Sequence, residues 1–126
     1  MVELAAASPG ETEGPVTSEA LATAQGIPPK FLESILLELR HAGLVTSQRG
    51  AEGGYRLGRP PDEIAVADVI RAVEGPIATI RGARPEDVTY VGSAVALRDV
   101  WIELRAAMRD VLERTTIGDL VRRSAA

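Results

Sequence analysis

No cysteine occurs anywhere in the 126 residues, and histidine occurs once, as His41. Without thiols the chain has no disulfide, no zinc ribbon, no thiolate nucleophile and no cysteine ligand for an iron–sulfur cluster. One imidazole is too little for a histidine-based metal site or a Ser–His–Asp triad. Enzymatic activity, a metal and a cofactor are therefore not expected. Charges interrupt every apolar stretch well before the roughly 18 residues a membrane span needs, so no contact with a membrane is expected. The opening MVELAAA carries an acid where a secretion signal needs a basic start. These absences together predict a soluble, cytoplasmic protein.

Hydrophobic residues make up 45% of the chain and charged residues 25%, enough apolar side chain to close the core of one small domain. The net charge of −4 is unevenly spread. Residues 1–27 hold four acids and no base, residues 28–59 are net +2, and residues 60–126 are net −2. A basic island thus sits inside an acidic chain, a pattern that permits one phosphate-binding face.

Periodicity and turn chemistry order the chain. Residues 2–7 read as a short helical piece, followed by an acidic, turn-rich loop, SPGETEGP, at 8–15. Thr17 or Ser18 can cap a helix that stops at Gly26. Pro28 and Pro29 suit the first turn of the next helix, in which Leu32, Ile35, Leu36 and Leu39 fall on one face. Two helices joined by so short a turn form a helix-turn-helix. A strand at 44–48, a Gly-rich turn at 49–54 and a second strand at 55–57 then make a hairpin. Helix-turn-helix followed by such a hairpin is a winged helix.

A further helix is expected at 66–74, with Val66, Val69, Ile70 and Val73 facing inward, and irregular chain at 76–90. The longest helix is expected at about 91–114. Along it Ala94, Leu97, Trp101, Leu104, Met108 and Val111 alternate in steps of three and four, the seam of a two-helix contact. Val100, Ile102, Ala107 and Leu112 form a second apolar edge, so the helix must bury two sides, one on its own domain and one on a partner. The expected class is mainly α with a small β wing: a winged helix-turn-helix plus a long C-terminal dimerisation helix. The chain divides into a winged-helix unit at 1–75, a linker or sensor loop at 76–90, and the dimerisation helix with a C-terminal turn at 91–126.

Three motifs within residues 27–75 carry a resemblance: LRHAGLV at 39–45, RGAEGGYRL at 49–57 and DVIRAVEG at 68–75. With them the sequence resembles the Rrf2 family of bacterial winged-helix transcription regulators, and TIGDLV at 116–121 looks like that family's C-terminal turn. The resemblance implies a sequence-specific DNA-binding regulator, a repressor, acting as a homodimer on a pseudo-palindromic operator in duplex DNA. Two departures accompany it. Members usually begin with a longer first helix, so Met1 is expected to fall inside that helix. Cluster-binding members place three cysteines before the long helix, and none stands at 77–90 here.

The expected DNA-binding residues are Lys30, Phe31, Glu33 and Ser34 on the recognition helix and Arg49, Gly50 and Arg56 on the wing. Lys30 can donate to guanine or phosphate, and Glu33 can accept from cytosine N4. Phe31 either touches DNA or packs. Arg49 suits a narrow minor groove, while Gly50, Gly53 and Gly54 let the turn take positive φ. The expected dimerisation residues are Leu97, Trp101, Leu104, Met108 and Val111. His41, just before a helix end, is accounted for by the helix dipole. The competing reading is a protein-interaction module with a degenerate winged helix and little DNA affinity, which net acidity favours. The effector is left open between a small molecule, a partner protein and none.

Overall fold

The first helix, α1 (Val2–Ala7), places Leu4 and Ala5 in the core. The computed structural model describes residues 1–7, 14–77, 79 and 82–125, so most of the expected acidic loop at 8–15 lies outside the described residues. At Thr17 the side-chain hydroxyl accepts from the Ala20 amide at 3.1 Å and starts α2 (Ser18–Gln25). Gly26, at φ 64°, ends α2 by handing its amide back to the helix carbonyls. Three residues later Pro29, which has no amide proton to lose, opens α3 (Pro29–His41). These are the expected two helices and tight turn.

Leu32, Leu36 and Leu39 of α3 are buried, with Ile35 half-buried beside them. They meet Leu4, Leu21, Leu44, Val45 and Ile64 in one cluster. The hairpin follows as β1 (Val45–Gln48) and β2 (Gly54–Leu57), antiparallel with Thr46 opposite Arg56 and Ser47 opposite Tyr55. An unforeseen third segment joins it. Val16 and Tyr55 exchange both backbone hydrogen bonds, at 2.9 and 2.7 Å, and so tie the start of α2 to the wing. Gly54 permits this approach: a Cβ there would lie 2.5 Å from the Val16 carbonyl oxygen.

A 3-10 turn (Pro61–Glu63) leads into α4 (Val66–Glu74), where the Asp68 carboxylate accepts from the Ala65 amide at 3.0 Å. The inward face of α4 differs from the expected one. Ala67 is its fully buried residue, Val69, Ala72 and Val73 pack on the core, and Val66 and Ile70 are half-buried outside that cluster. After a second 3-10 turn (Pro85–Asp87) and a third (Gly92–Ala94), the long helix α5 runs Val95–Arg114. It starts later than the pattern suggests because Gly92 sits at φ 61°, outside right-handed helix geometry.

The tail expected as a turn is a helix, α6 (Ile117–Ala125), packed on α1 and on the Pro61–Glu63 turn. Thr116 and Asp119 cap it reciprocally. The Asp119 amide donates to the Thr116 hydroxyl at 3.0 Å, and the Thr116 amide donates to the Asp119 carboxylate at 2.9 Å. The Thr-x-x-Asp spacing is that of a capping box, a short-range signal present in the sequence. Ile117 is buried in the core cluster, and Arg122 bridges Asp62 and Asp119. The hydrogen bond from the Thr116 amide, followed by the one from Arg122, holds the Asp119 carboxyl below the usual aspartate range. A depressed carboxyl stabilises the fold above its unfolded pKa and loses that contribution as pH falls through the folded value. Thermal melts taken downward from neutral pH should therefore show a gentler loss of stability below about pH 4 for Asp119→Asn than for the wild type. Equal acid slopes would assign the loss to other carboxylates.

Candidate nucleic-acid interface

The solvent face of α3 collects the residues expected to read bases. Lys30, Glu33, Ser34 and Leu37 are exposed, one helical turn apart and opposite Leu32, Leu36 and Leu39. Phe31 is 62% exposed, which removes core packing as its role and leaves an aromatic ring on the open surface. His41 is exposed in the last turn, and among the described residues it joins no group of three His, Cys, Asp or Glu side chains able to hold a metal.

The wing stands beside this face. Its turn is closed by the Gly53 amide donating to the Gly50 carbonyl at 3.0 Å, and Gly50 takes φ 108°, which favours glycine. Arg49 is exposed at the start of that turn, and Arg56 is half-buried on β2. Between the wing and the first turn of α2 opens a cleft of about 560 Å³, lined among others by Ser18, Glu19, Arg40, Arg49 and Gly50. Arg40, in the last turn of α3, donates from Nη1 to the Ser47 hydroxyl on β1 at 3.3 Å. It was not among the expected site residues. Its position inside the LRHAGLV motif was the available signal, and only the fold brings it to the wing.

Ion pairing sets this region apart. Arg59, Arg71, Arg84, Arg98, Arg105, Arg109, Arg114 and Arg122 each stand within ion-pair distance of a carboxylate. Among the described residues Lys30, Arg40, Arg49 and Arg123 do not, and the first three lie on α3 and the wing. Net acidity is therefore misleading: among the described residues most cations outside this region are spent internally, while Lys30, Arg40 and Arg49 on the candidate interface face solvent.

The second expected surface is α5. Leu97, Trp101, Leu104, Met108 and Val111 are 36–48% exposed on one stripe, with Val100 alongside. The other expected edge splits. Ile102 and Leu112 turn half-buried toward the chain's own domain, whereas Val100 and Ala107 stay exposed. Arg105 and Arg109 share the inward side, and Arg105 donates from Nε to the Ile77 carbonyl at 3.0 Å and faces Glu86. The helix thus docks on α4 and the Pro85–Asp87 turn largely through polar groups and leaves its apolar stripe uncovered.

A family model described as "Rrf2: Iron-dependent Transcriptional regulator" matches residues 1–123. The chain belongs to the Rrf2 family. Within it, the HTH-type transcriptional regulator Rv1287 of Mycobacterium tuberculosis (strain ATCC 25618 / H37Rv) is 52% identical over 95% of this chain and 73% of its own length. CymR of Bacillus subtilis (strain 168) is 41% identical over 86% of this chain and 73% of its own. The solved structure of B. subtilis CymR, titled the global cysteine regulator, superposes with a TM-score of 0.80 at 38% identity, covering 97% of this chain and 87% of that one. The T. potens IscR structure gives 0.75 at 33% identity, over 98% and 78%. The Rrf2 chains it resembles are transcriptional regulators and not enzymes, and the winged-helix architecture with a long C-terminal helix is the one they share.

Iron does not fit the residues of this member. The chain has no cysteine and one exposed histidine. Among the described residues no three His, Cys, Asp or Glu side chains converge on a point, and Glu86 and Asp87 are engaged by Arg105 and Arg84. Nor is any helix of the described residues long and apolar enough to cross a membrane.

Proposed function

We propose that this Rrf2 protein is a sequence-specific repressor that binds a pseudo-palindromic operator in duplex DNA as a homodimer. The observation that carries the reading is that Lys30, Arg40 and Arg49, on α3 and the wing, have no carboxylate partner among the described residues, while eight arginines elsewhere do. Phosphate contacts give affinity and register, and base contacts give sequence preference. Lys30, Glu33 and Ser34 enter the major groove with the start of α3, Phe31 supplies apolar contact, and Arg49 enters the minor groove. Gly50 brings backbone close to phosphate, and Arg56 supports the wing from β2.

The stripe Leu97, Trp101, Leu104, Met108 and Val111 pairs with its copy and sets the spacing of the two recognition helices. In this division of labour residues 1–75 read DNA, 76–90 link, and 91–126 pair, with α6 turned back onto α1. Repression needs only occupancy of the operator, and no catalytic group is asked for. Under the competing reading, an interaction module, the same cations would have no nucleic acid to meet.

A gel shift of the wild-type chain on genomic fragments, at about 50 and 200 mM salt, separates the two. The repressor reading expects a shift that is confined to few fragments and weakens steeply with salt. Absence of any shift at the lower salt would overturn it in favour of the interaction module.

A further inference from the structure

We infer that the cleft between the wing and the first turn of α2 is a seat for one backbone phosphate, with Arg40 as its principal anchor. The inference rests on the DNA-binding reading and adds to it a residue and a site which that reading does not require. Arg40 and Arg49 both line this cleft, and among the described residues neither guanidinium has a carboxylate partner. Arg40 spends one N–H on the Ser47 hydroxyl, which fixes the guanidinium against β1 and leaves its other donors free for a forked contact. A phosphodiester oxygen pair matches that fork.

The site is rigid from both sides. The Val16–Tyr55 bridge clamps the α2 start to β2, and the Arg40–Ser47 bond clamps the α3 end to β1. The Arg40 guanidinium, tied to β1 beside this cleft, is therefore placed before the anion arrives, which lowers the ordering cost of binding it. Glu19 lines the same cleft and opposes the anion, so the arrangement is tuned and not maximal. An alternative role for Arg40, as a cation stabilising the C-terminal end of α3, involves no ligand.

The same chemistry would hold a free inorganic phosphate, and the experiment separates the two sources. Wild type, Arg40→Gln, Arg40→Lys and Glu19→Gln are titrated with an operator duplex and an unrelated duplex across a salt series. Each is also titrated with inorganic phosphate alone, and each is checked by circular dichroism. For a backbone-phosphate seat, Arg40→Gln lowers affinity about 5- to 50-fold on both duplexes and reduces the salt slope by about 0.9 per protomer. Arg40→Lys restores the slope, Glu19→Gln tightens both duplexes, and inorganic phosphate binds only weakly. An unchanged slope in a folded Arg40→Gln chain, while wild type still binds DNA, overturns the inference and leaves the repressor reading standing. Tight binding of inorganic phosphate that depends on Arg40, with no change in the DNA slope, overturns it in favour of a free-anion site. Failure of wild type to bind any duplex removes the inference together with the reading beneath it.

Discussion

Replacing Trp101 and Leu104 together with glutamate is expected to convert a dimer into a monomer in sedimentation and to weaken operator binding on the order of 100-fold. The stripe advances by steps of four and three along α5, the spacing at which one side of a helix meets a second helix continuously. Burying a large apolar side chain yields about 1.5–3 kcal/mol, whereas association costs about 4–15 kcal/mol in lost freedom. Because these side chains are only 36–48% exposed in the single chain, ten of them contribute about 6–14 kcal/mol, comparable with that cost, and losing four of the ten tips the balance. Glutamates at those positions also bring like charges together across the symmetric contact. The DNA defect follows because linkage makes the second half-site intramolecular, a gain of about 10²–10⁴ that a monomer forfeits. Both side chains are exposed within the single chain, so helix content should persist in circular dichroism. A wild-type chain that is already monomeric at tens of micromolar would remove the basis of the proposal.

Arg49→Ala is expected to cost about 1–3 kcal/mol per half-site on cognate DNA, the scale of one good base contact. Its guanidinium is exposed, unpaired among the described residues and carried on a turn narrowed by Gly50 and Gly53. Arginine is permanently charged and weakly hydrated, which suits a narrow groove of strong negative potential. The loss should concentrate on operators with A·T-rich segments under the wing. Loss of Arg40 should instead fall on all duplexes alike. That contrast separates groove insertion from phosphate contact in one set of titrations. Undiminished affinity of a folded Arg49→Ala protein on its operator would exclude the groove role.

Much of this architecture was legible locally. The cap at Thr17, the Gly26 stop and the paired prolines are short-range signals, and the structure places α2 and α3 where they point. The apolar stripe of α5 was equally visible, because steps of three and four are a local pattern of one helix. The misreadings arose where a long-range partner decided the outcome. Ala67, and not its valine neighbours, is the fully buried residue of α4. Ile102 and Leu112 face home while Val100 and Ala107 do not, which depends on where α4 and the Pro85–Asp87 turn stand. The stretch 116–121 looked like a turn because its burial partners, α1 and Pro61–Glu63, lie far away in the chain.

The sequence by itself determined the class of the fold, the helix-turn-helix, the wing and the stripe, because each is written in periodicity, caps and turn residues within a few positions. It also determined that cysteine-ligated chemistry is absent, since composition alone decides that. Which cations are free was decided by the tertiary structure. Eight arginines find carboxylates in the fold, some of them across 20 residues or more of chain, such as Arg122 with Asp62 and Arg71 with Glu113. Arg40 meets Ser47 only once the strand has folded back beside the helix. A net charge sums residues without regard to their neighbours, and binding depends on the charges that neighbours leave uncompensated.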